Sequence, residues 1–193
     1  MKTLRLYRAR LLVALLLTLA AYNASGSSGN KAGATWTLRI QGDNPLFSVA
    51  YGNGTFVAVG NDGTLFTSRG IILTSRDGVN WTAQISPTTR WLGGVAYGNG
   101  TFVAVGWDGT ILTSRDGVSW RERSSGTSYH LDSVTYGNGL FVAVGDWGTI
   151  LTSRDGASWM RRTSSTRDDL TGVAYGNGTF VAVGRYGTIL TSP

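Results

Sequence analysis

Residues Val95–Trp120 read VAYGNGTFVAVGWDGTILTSRDGVSW, and four near-copies of this segment follow one another along the chain. Each copy has a tyrosine just before a Gly-Asn-Gly turn, and these are Tyr51, Tyr97, Tyr136 and Tyr175. The last two tyrosine spacings are 39 residues each, and the first is 46. A period near 40 residues, with turn residues at the same places in every copy, is typical of repeating all-β folds.

Each copy predicts four short strands separated by turns. In the second copy these apolar runs are Leu92–Tyr97, Phe102–Val105, Thr110–Ser114 and a run that begins at Trp120. The Gly-Asn-Gly turn is a strong hairpin signal, because Asn and Gly both accept a positive φ. Four antiparallel strands per repeat make one propeller blade. The sequence therefore predicts an all-β fold, a four-bladed β-propeller with four-stranded blades of about 39 residues.

The two ends of the chain suggest how this propeller closes. The chain stops on the third strand of the fourth copy, while Trp36 heads a run that resembles a lone fourth strand. Trp36 precedes the next repeat tyrosine by 15 residues, and the other strand-four tryptophans do so by 16. We therefore expect the N-terminal strand with Trp36 to complete the last blade and close the ring, which covers an unpaired edge. The alternatives are an open four-blade arc that pairs with a second chain, or a fragment of a longer protein.

The first copy is longer by seven residues. Residues 64–70 (TLFTSRG) are followed at once by 71–77 (IILTSRD), which is a tandem duplication within 64–77. This predicts a bulge, an elongated loop or an extra strand in the first blade. A functional loop and recent slippage both explain the duplication.

The N-terminus has the features of an export signal. Residues 1–20 combine a basic start with a short apolar run, Leu11–Ala21, and small residues before a cleavage site after Ala20. That run of about 11 residues is too short to span a bilayer, which needs about 20. We expect a signal peptide at 1–20, a flexible Ser/Gly-rich spacer at 21–33 and the propeller at 34–193. The mature protein is then secreted or periplasmic with no stable membrane span; a signal anchor is the alternative.

The net charge argues against nucleic acid as a partner. The whole chain has 17 Lys and Arg against 11 Asp and Glu, a net charge of +6. Four of the basic residues and none of the acidic ones lie in the predicted signal, so the remainder carries 13 − 11 = +2. A nucleic-acid-binding surface would be more strongly basic.

Three turns resemble a known motif. Residues 75–81, 114–120 and 153–159 are similar to the Asp-box, Ser-x-Asp-x-Gly-x-x-Trp, shortened here by one residue. With their flanking strands they resemble the BNR and sialidase-like repeats of secreted bacterial propellers of the photosystem II assembly-factor type. The resemblance covers about 34–193 and implies the fold, since such propellers have unrelated functions. We predict that aspartates bond turn amides and tryptophans pack between blades, at Asp77, Trp81, Asp116, Trp120, Asp155 and Trp159.

The copies differ from each other at two places, the Gly-x-x-Gly turn and the connection into the first strand. In an up-and-down blade both leave from the same end, so these positions are expected on one face. Its candidate binding residues are Trp91, Trp107, Asp108, Tyr129, His130, Asp146, Trp147, Arg185 and Tyr186. Exposed aromatic rings beside charges suit a protein or a glycan partner. Alternatively, the rings cover the central opening or pack on neighbouring turns.

The residues give little support to catalysis. The chain has no Cys and a single histidine, His130, so a His-rich metal site cannot form within one chain. The catalytic set that a sialidase needs has no counterpart, and the adjacent carboxylates Asp168 and Asp169 are expected in a solvated loop. We therefore predict no catalytic residues, no metal and no cofactor.

The sequence thus predicts a non-catalytic secreted module that binds or assembles with a protein or glycan. An open ring would also allow a homodimer. The alternative functions are a fragment or remnant of a sialidase-like glycoside hydrolase and a bare assembly scaffold.

Overall fold

The computed structural model describes residues 36–64 and 69–192. The predicted signal peptide at 1–20 and spacer at 21–33 lie outside the described residues. All strands belong to the unit Leu38–Pro193; of the preceding unit, Met1–Thr37, only Trp36 and Thr37 are described.

The described residues form fifteen strands. They are β1 Leu46–Gly52, β2 Thr55–Asn61, β3 Gly70–Ser75, β4 Thr82–Gln84, β5 Leu92–Gly98, β6 Thr101–Gly106, β7 Ile111–Ser114, β8 Arg121–Arg123, β9 Leu131–Gly137, β10 Leu140–Gly145, β11 Thr149–Ser153, β12 Met160–Arg162, β13 Leu170–Gly176, β14 Thr179–Gly184 and β15 Ile189–Ser192. Three 3-10 turns, Trp107–Gly109, Asp146–Gly148 and Arg185–Gly187, follow β6, β10 and β14.

The strands form four antiparallel sheets in which neighbours in sequence are neighbours in space. Three sheets have four strands, in the orders β1-β2-β3-β4, β5-β6-β7-β8 and β9-β10-β11-β12, and the fourth is β13-β14-β15. Each sheet is one blade, and we number the blades 1 to 4 along the chain. The predicted all-β, four-bladed propeller fold is confirmed.

The first hairpin of each blade follows from its Asn-Gly turn. In blade 1, Tyr51 pairs with Phe56 across β1 and β2, and the turn residues Asn53 and Gly54 have φ of 47° and 71°. Both values lie in the left-handed region that a two-residue hairpin turn requires. The turn sets the register, so that alternate apolar side chains emerge on the two faces of the sheet.

Consecutive blades pack face to face through apolar side chains. Val57, Val59 and Ile72 of blade 1 are fully buried against blade 2, where Phe102 and Leu112 are equally buried. Equivalent residues bury the contacts of blade 2 with blade 3 and of blade 3 with blade 4. The core is therefore three repeated interfaces between sheets.

Glycines let the innermost strands approach each other. A Cβ at Gly52 would overlap the ring of Tyr97 on the next blade. The same relation joins Gly98 to Tyr136 and Gly137 to Tyr175. Tyr97, Tyr136 and Tyr175 therefore each cover the glycine that ends the first strand of the preceding blade.

The predicted closure of the ring by Trp36 is wrong in this structure. Residues 36–45 form no strand, the Trp36 side chain is 90% exposed, and the fourth sheet has only three strands. The outward faces of blade 1 and blade 4 remain exposed, for example at Tyr51 and Val183. Closure needs the last blade to reach the first, and three interfaces of this kind leave the arc open.

The seven-residue duplication lengthens the connection between β2 and β3. The second copy of the heptad supplies β3, in which Ile72 pairs with Val59. The first copy lies in the connection, whose base is held where the Asp62 amide donates to the Arg69 carbonyl at 3.0 Å. The connection between the end of β2 and the start of β3 runs from Asp62 to Arg69, and its residues 65–68 lie outside the described residues.

Candidate functional site

The turns separate into two sets at opposite ends of the blades. The Asn53 and Asn99 side chains donate to the carbonyls of Arg115 and Arg154, at 3.5 and 3.4 Å. The repeated Asn-Gly turn of one blade therefore lies beside the Ser-Arg-Asp-Gly turn of the next, which resembles the Asp-box and which we call the Asp-box turn. The Gly-x-x-Gly turns and the connections into β5, β9 and β13 lie together at the other end, which we call the variable face.

On blades 2 and 3 the variable face carries a row of stacked rings. Trp91 and Trp107 have ring centroids 4.1 Å apart, and Trp107 stacks on His130 at 4.7 Å with 14° between the planes. The Trp107 amide donates to the Trp91 carbonyl at 2.9 Å, which joins turn to connection. Trp91 is half-buried, and Trp107 is 37% exposed.

Asp108 connects this row of rings to a charged side chain and to the backbone. Its carboxylate pairs with the Arg90 guanidinium at 2.9 Å, and its amide donates to His130 Nδ1 at 2.9 Å. The same His130 nitrogen also lies 3.6 Å from the Asp108 carboxylate. His130 is thus oriented by a backbone amide on one side and a tryptophan on the other.

A second group of rings lies on blades 3 and 4. Tyr129 and Trp147 stack at 6.4 Å, and the Arg161 guanidinium lies 5.7 Å from the Tyr129 ring centroid. The Trp147 amide donates to Asp169 at 3.1 Å, and Asp169 also pairs with Arg185 at 3.3 Å. Both groups of the variable face therefore combine aromatic rings with an Arg–Asp pair.

Two of these aromatic residues occupy an unfavourable backbone conformation. Trp147 and Tyr186 have φ of 55° and 56°, at the turn position where blade 2 has Asp108 with φ 54°. Left-handed φ costs a residue with a Cβ on the order of 1 kcal/mol, and Asp tolerates it better than an aromatic residue. The Trp147 and Tyr186 side chains are 57% and 90% exposed. Strained, exposed rings point to a role other than stability.

Acidic residues gather beneath the second group. Asp132 on β9 lies near Asp146 and Asp169, with His130 and Arg185 as the nearby bases. Burial and the charge of Asp146 raise the pKa of the Asp132 carboxyl, and burial and Asp169 raise that of Asp146. Asp132 is not among the site residues predicted from the sequence. The sequence feature that could have identified Asp132 is the variation at this strand position, where the other copies have Phe47, Gly93 and Thr171.

The Asp-box turns lie at the opposite end from the variable face. In blade 2, Asp116 Oδ1 accepts hydrogen bonds from the amides of Val118 and Ser119, each at 2.8 Å. It also accepts from the Ser114 hydroxyl at 2.9 Å, whose oxygen accepts from the Gly117 amide at 2.9 Å. The Ser119 and Val118 amides lower the pKa of Asp116 to about 2.

The other two Asp-box turns repeat this geometry. Asp77 and Asp155 each accept from two turn amides at 2.8 Å, and these bonds hold their pKa well below the usual range. The indole N–H of each box tryptophan donates to the carbonyl of the box glycine; the tryptophans are Trp81, Trp120 and Trp159. Trp120 is buried between blades, and Trp81 and Trp159 are half-buried.

The paired carboxylates after β12 are engaged in different contacts. Asp168 accepts from the Thr188 hydroxyl at 2.6 Å, and Asp169 holds Arg185. Within residues 36–64 and 69–192, no group of three or more His, Asp or Glu side chains is arranged to hold a metal ion. The part of the chain that the structure describes also contains no helix with the length and apolar character needed to cross a membrane.

Comparison with solved structures places the chain among the β-propellers. It matches YCF48 bound to D1 peptide with a TM-score of 0.63 at 16% identity, over 80% of this chain and 52% of that one. It matches Sqt1 from Chaetomium thermophilum, bound to the N-terminus of the ribosomal protein L10, with a TM-score of 0.59 at 12% identity, over 77% and 45%. The computationally designed Ika4 protein matches with a TM-score of 0.61 at 13% identity, over 79% and 92%.

These likenesses establish the fold. The chain spans about half the length of the YCF48 and Sqt1 chains that it matches. No protein-family model and no curated protein sequence matches it.

Proposed function

We propose that this chain is an exported, non-catalytic β-propeller that binds a protein through its variable face. The observation that carries the proposal is the pair of exposed aromatic residues, Trp147 and Tyr186, in left-handed turn conformations. An aromatic ring at such a position raises the free energy of the fold and exposes apolar surface to water. A partner that covers these rings accounts for both features.

The chemistry of the face fits protein recognition. Tryptophan, tyrosine and arginine are the residues that most often dominate binding at protein interfaces. Here the rings of Trp107 and Trp147 are flanked by the ion pairs Arg90–Asp108 and Arg185–Asp169. Apolar rings beside charges of both signs suit a peptide segment with one large apolar side chain and flanking polar groups.

The structurally similar proteins support the proposal of protein binding. YCF48 is bound to D1 peptide, Sqt1 to the N-terminus of L10, and nidogen is in a complex with laminin. These are binding propellers, so a non-catalytic role for this chain is in keeping with its fold. We extend protein binding, and not the identity of those partners, to this chain.

The test is affinity capture from the exporting host with matched variants. Trp107→Ala, Trp147→Gly and Tyr186→Ala should each lose the partner, because each removes an exposed ring. Trp147→Gly should also stabilise the fold slightly, since glycine adopts the left-handed turn without strain. Val118→Ala, an exposed apolar residue on an Asp-box turn, is the control and should bind as the unmodified protein does. Unchanged capture by all three ring variants would exclude the variable face.

A glycan is the second candidate, because exposed tryptophan faces also stack on sugars. A glycan array separates the two: binding there that is lost in Trp107→Ala would favour the glycan. A sialidase-like remnant would instead turn over a fluorogenic sialoside in a manner that depends on Asp168.

We also propose that the repeat is of the BNR/Asp-box type and that residues 1–20 direct export. The hydrogen bonds of Asp77, Asp116 and Asp155 support the first proposal, and the basic and apolar pattern of residues 1–20 supports the second. N-terminal sequencing of exported protein should give a chain that starts at Ala21. Retention of Met1 on a membrane-bound product would favour the signal anchor.

A further inference from the structure

The two ends of the arc present apolar faces that the chain leaves exposed. The leading face, on blade 1, is defined by Leu46, Val49, Tyr51, Ala58 and Trp81, and a shallow groove runs along it. The trailing face, on blade 4, is defined by Gly176, Val181, Val183 and Ile189. Val49 is 60% exposed and Ile189 is 67% exposed. Contiguous exposed apolar surface of this kind marks a site of interaction.

The two faces are the two halves of the interface that the blades make with each other. Val181, Val183 and Ile189 occupy the repeat positions of Val57, Val59 and Ile72, which are buried against blade 2. On the leading face, Leu46 and Val49 likewise occupy the repeat positions of Leu92 and Val95, which are buried against blade 1. The trailing face is therefore complementary to the leading face in residue type and register.

The contact between a repeat tyrosine and the glycine of the preceding blade indicates most clearly that the end blades lack a neighbour. Gly52, Gly98 and Gly137 are each covered by the tyrosine of the following blade. Gly176 is the fourth glycine of this series, and a Cβ there would have nothing within 4 Å. Among the described residues, Tyr51 is the one repeat tyrosine that follows no preceding blade, and it is 58% exposed. A fourth contact would place Tyr51 over Gly176.

We propose that a second copy of this chain makes that contact, so that two arcs close head to tail into an eight-bladed ring. A face that binds a different face of an identical chain gives a closed ring if the rotation closes, and a filament if it does not. Propellers have about four to eight blades. Four blades leave the arc open here, two copies supply eight, and three copies would supply more than the fold accommodates. The second copy thus continues the interface already repeated along the chain.

The same arrangement supplies the missing strand of blade 4. A groove between blades 3 and 4, lined by Val142, Phe180 and Leu190, lies where Trp120 is buried between blades 1 and 2. In the proposed ring, the residues that precede blade 1 of the second copy run beside β15. They begin with Trp36, which has the sequence position of a strand-four tryptophan. The tryptophan of the second copy would fill this groove and its strand would cover the open edge of β15.

The experiment measures the mass of the purified protein by analytical ultracentrifugation, with Gly176→Leu as the test variant. The unmodified protein should sediment with the mass of two chains. Gly176→Leu should be monomeric yet folded, because the open arc has space for the side chain and the proposed interface has none. Adding Tyr51→Ala to Gly176→Leu should restore the dimer. Ile85→Arg, at an 89% exposed position outside both end faces, is the control and should remain dimeric.

Three results would contradict the proposal. A monomer at every concentration, a mass above two chains, or a dimer that survives Gly176→Leu would each overturn the proposal.

Discussion

Replacement of Asp116 by alanine should destabilise the protein measurably, although Asp116 lies on an exposed turn. The substitution removes three short hydrogen bonds, two from the amides of Val118 and Ser119 and one from the Ser114 hydroxyl. Aspartates that bond turn or helix-end amides contribute about 0.5–2 kcal/mol. Water replaces part of what is lost, so we expect a loss of about 1–2 kcal/mol in the free energy of unfolding.

The assays are urea denaturation and thermal unfolding, both followed by tryptophan fluorescence at one fixed protein concentration. A loss of that size lowers Tm by about 2–8 °C in a domain of this length. Asp116→Asn keeps one acceptor oxygen and should lose less. Glu122→Ala on β8 removes one negative charge from an exposed site and serves as the control.

The Asp116 prediction also has a pH dependence of defined sign. The turn amides lower the pKa of Asp116 to about 2, from 3.8 for an aspartate without such contacts. A lowered pKa in the folded state contributes stability above the unfolded value and loses it as pH falls toward the folded value. The gap between the unmodified protein and Asp116→Asn should therefore narrow from pH 5 to pH 2. A loss no larger than that of Glu122→Ala, or a gap that does not change with pH, would refute the reasoning.

Two further predictions concern the interior of the arc. Asp132→Asn should raise Tm at pH 7, because burial and Asp146 raise the pKa of Asp132 and make its charged form unfavourable when folded. A raised folded-state pKa lowers stability only at pH values above the unfolded-state pKa, so the gain in Tm should vanish at pH 3 in the same thermal assay. Gly106→Ala should lower the free energy of unfolding by about 2 kcal/mol or more, because the new Cβ would overlap the Trp91 carbonyl oxygen. Gly42→Ala is the control: a Cβ there has nothing within 4 Å, so it should leave stability in urea denaturation nearly unchanged.

Local features of the site were well predicted from sequence. The Asn53-Gly54 turn has the positive φ values that its residues favour, and the Asp116 carboxylate bonds the amides that follow it. The variable turns and connections also lie together, since the topology of an up-and-down blade places them at one end. These features depend on a few neighbouring residues or on the order of the strands, and both can be read from the sequence of a single repeat.

The contacts of the variable face were harder to predict. Trp107 stacks on His130, 23 residues further along the chain and on the connection into the next blade. The cluster of Asp132 with Asp146 and Asp169 likewise spans two blades. Such contacts depend on the distance and rotation between packed sheets, which no single repeat encodes.

The sequence by itself determined the number of blades, their strands and the turns between them, because each depends on a short pattern present in every copy. Whether the arc closes was decided only by the tertiary structure. The spacing of Trp36 matches a strand that completes the last blade, yet this residue is exposed and the fourth sheet has three strands. Closure is the sum of the rotations at three interfaces between sheets, and side-chain packing sets each rotation.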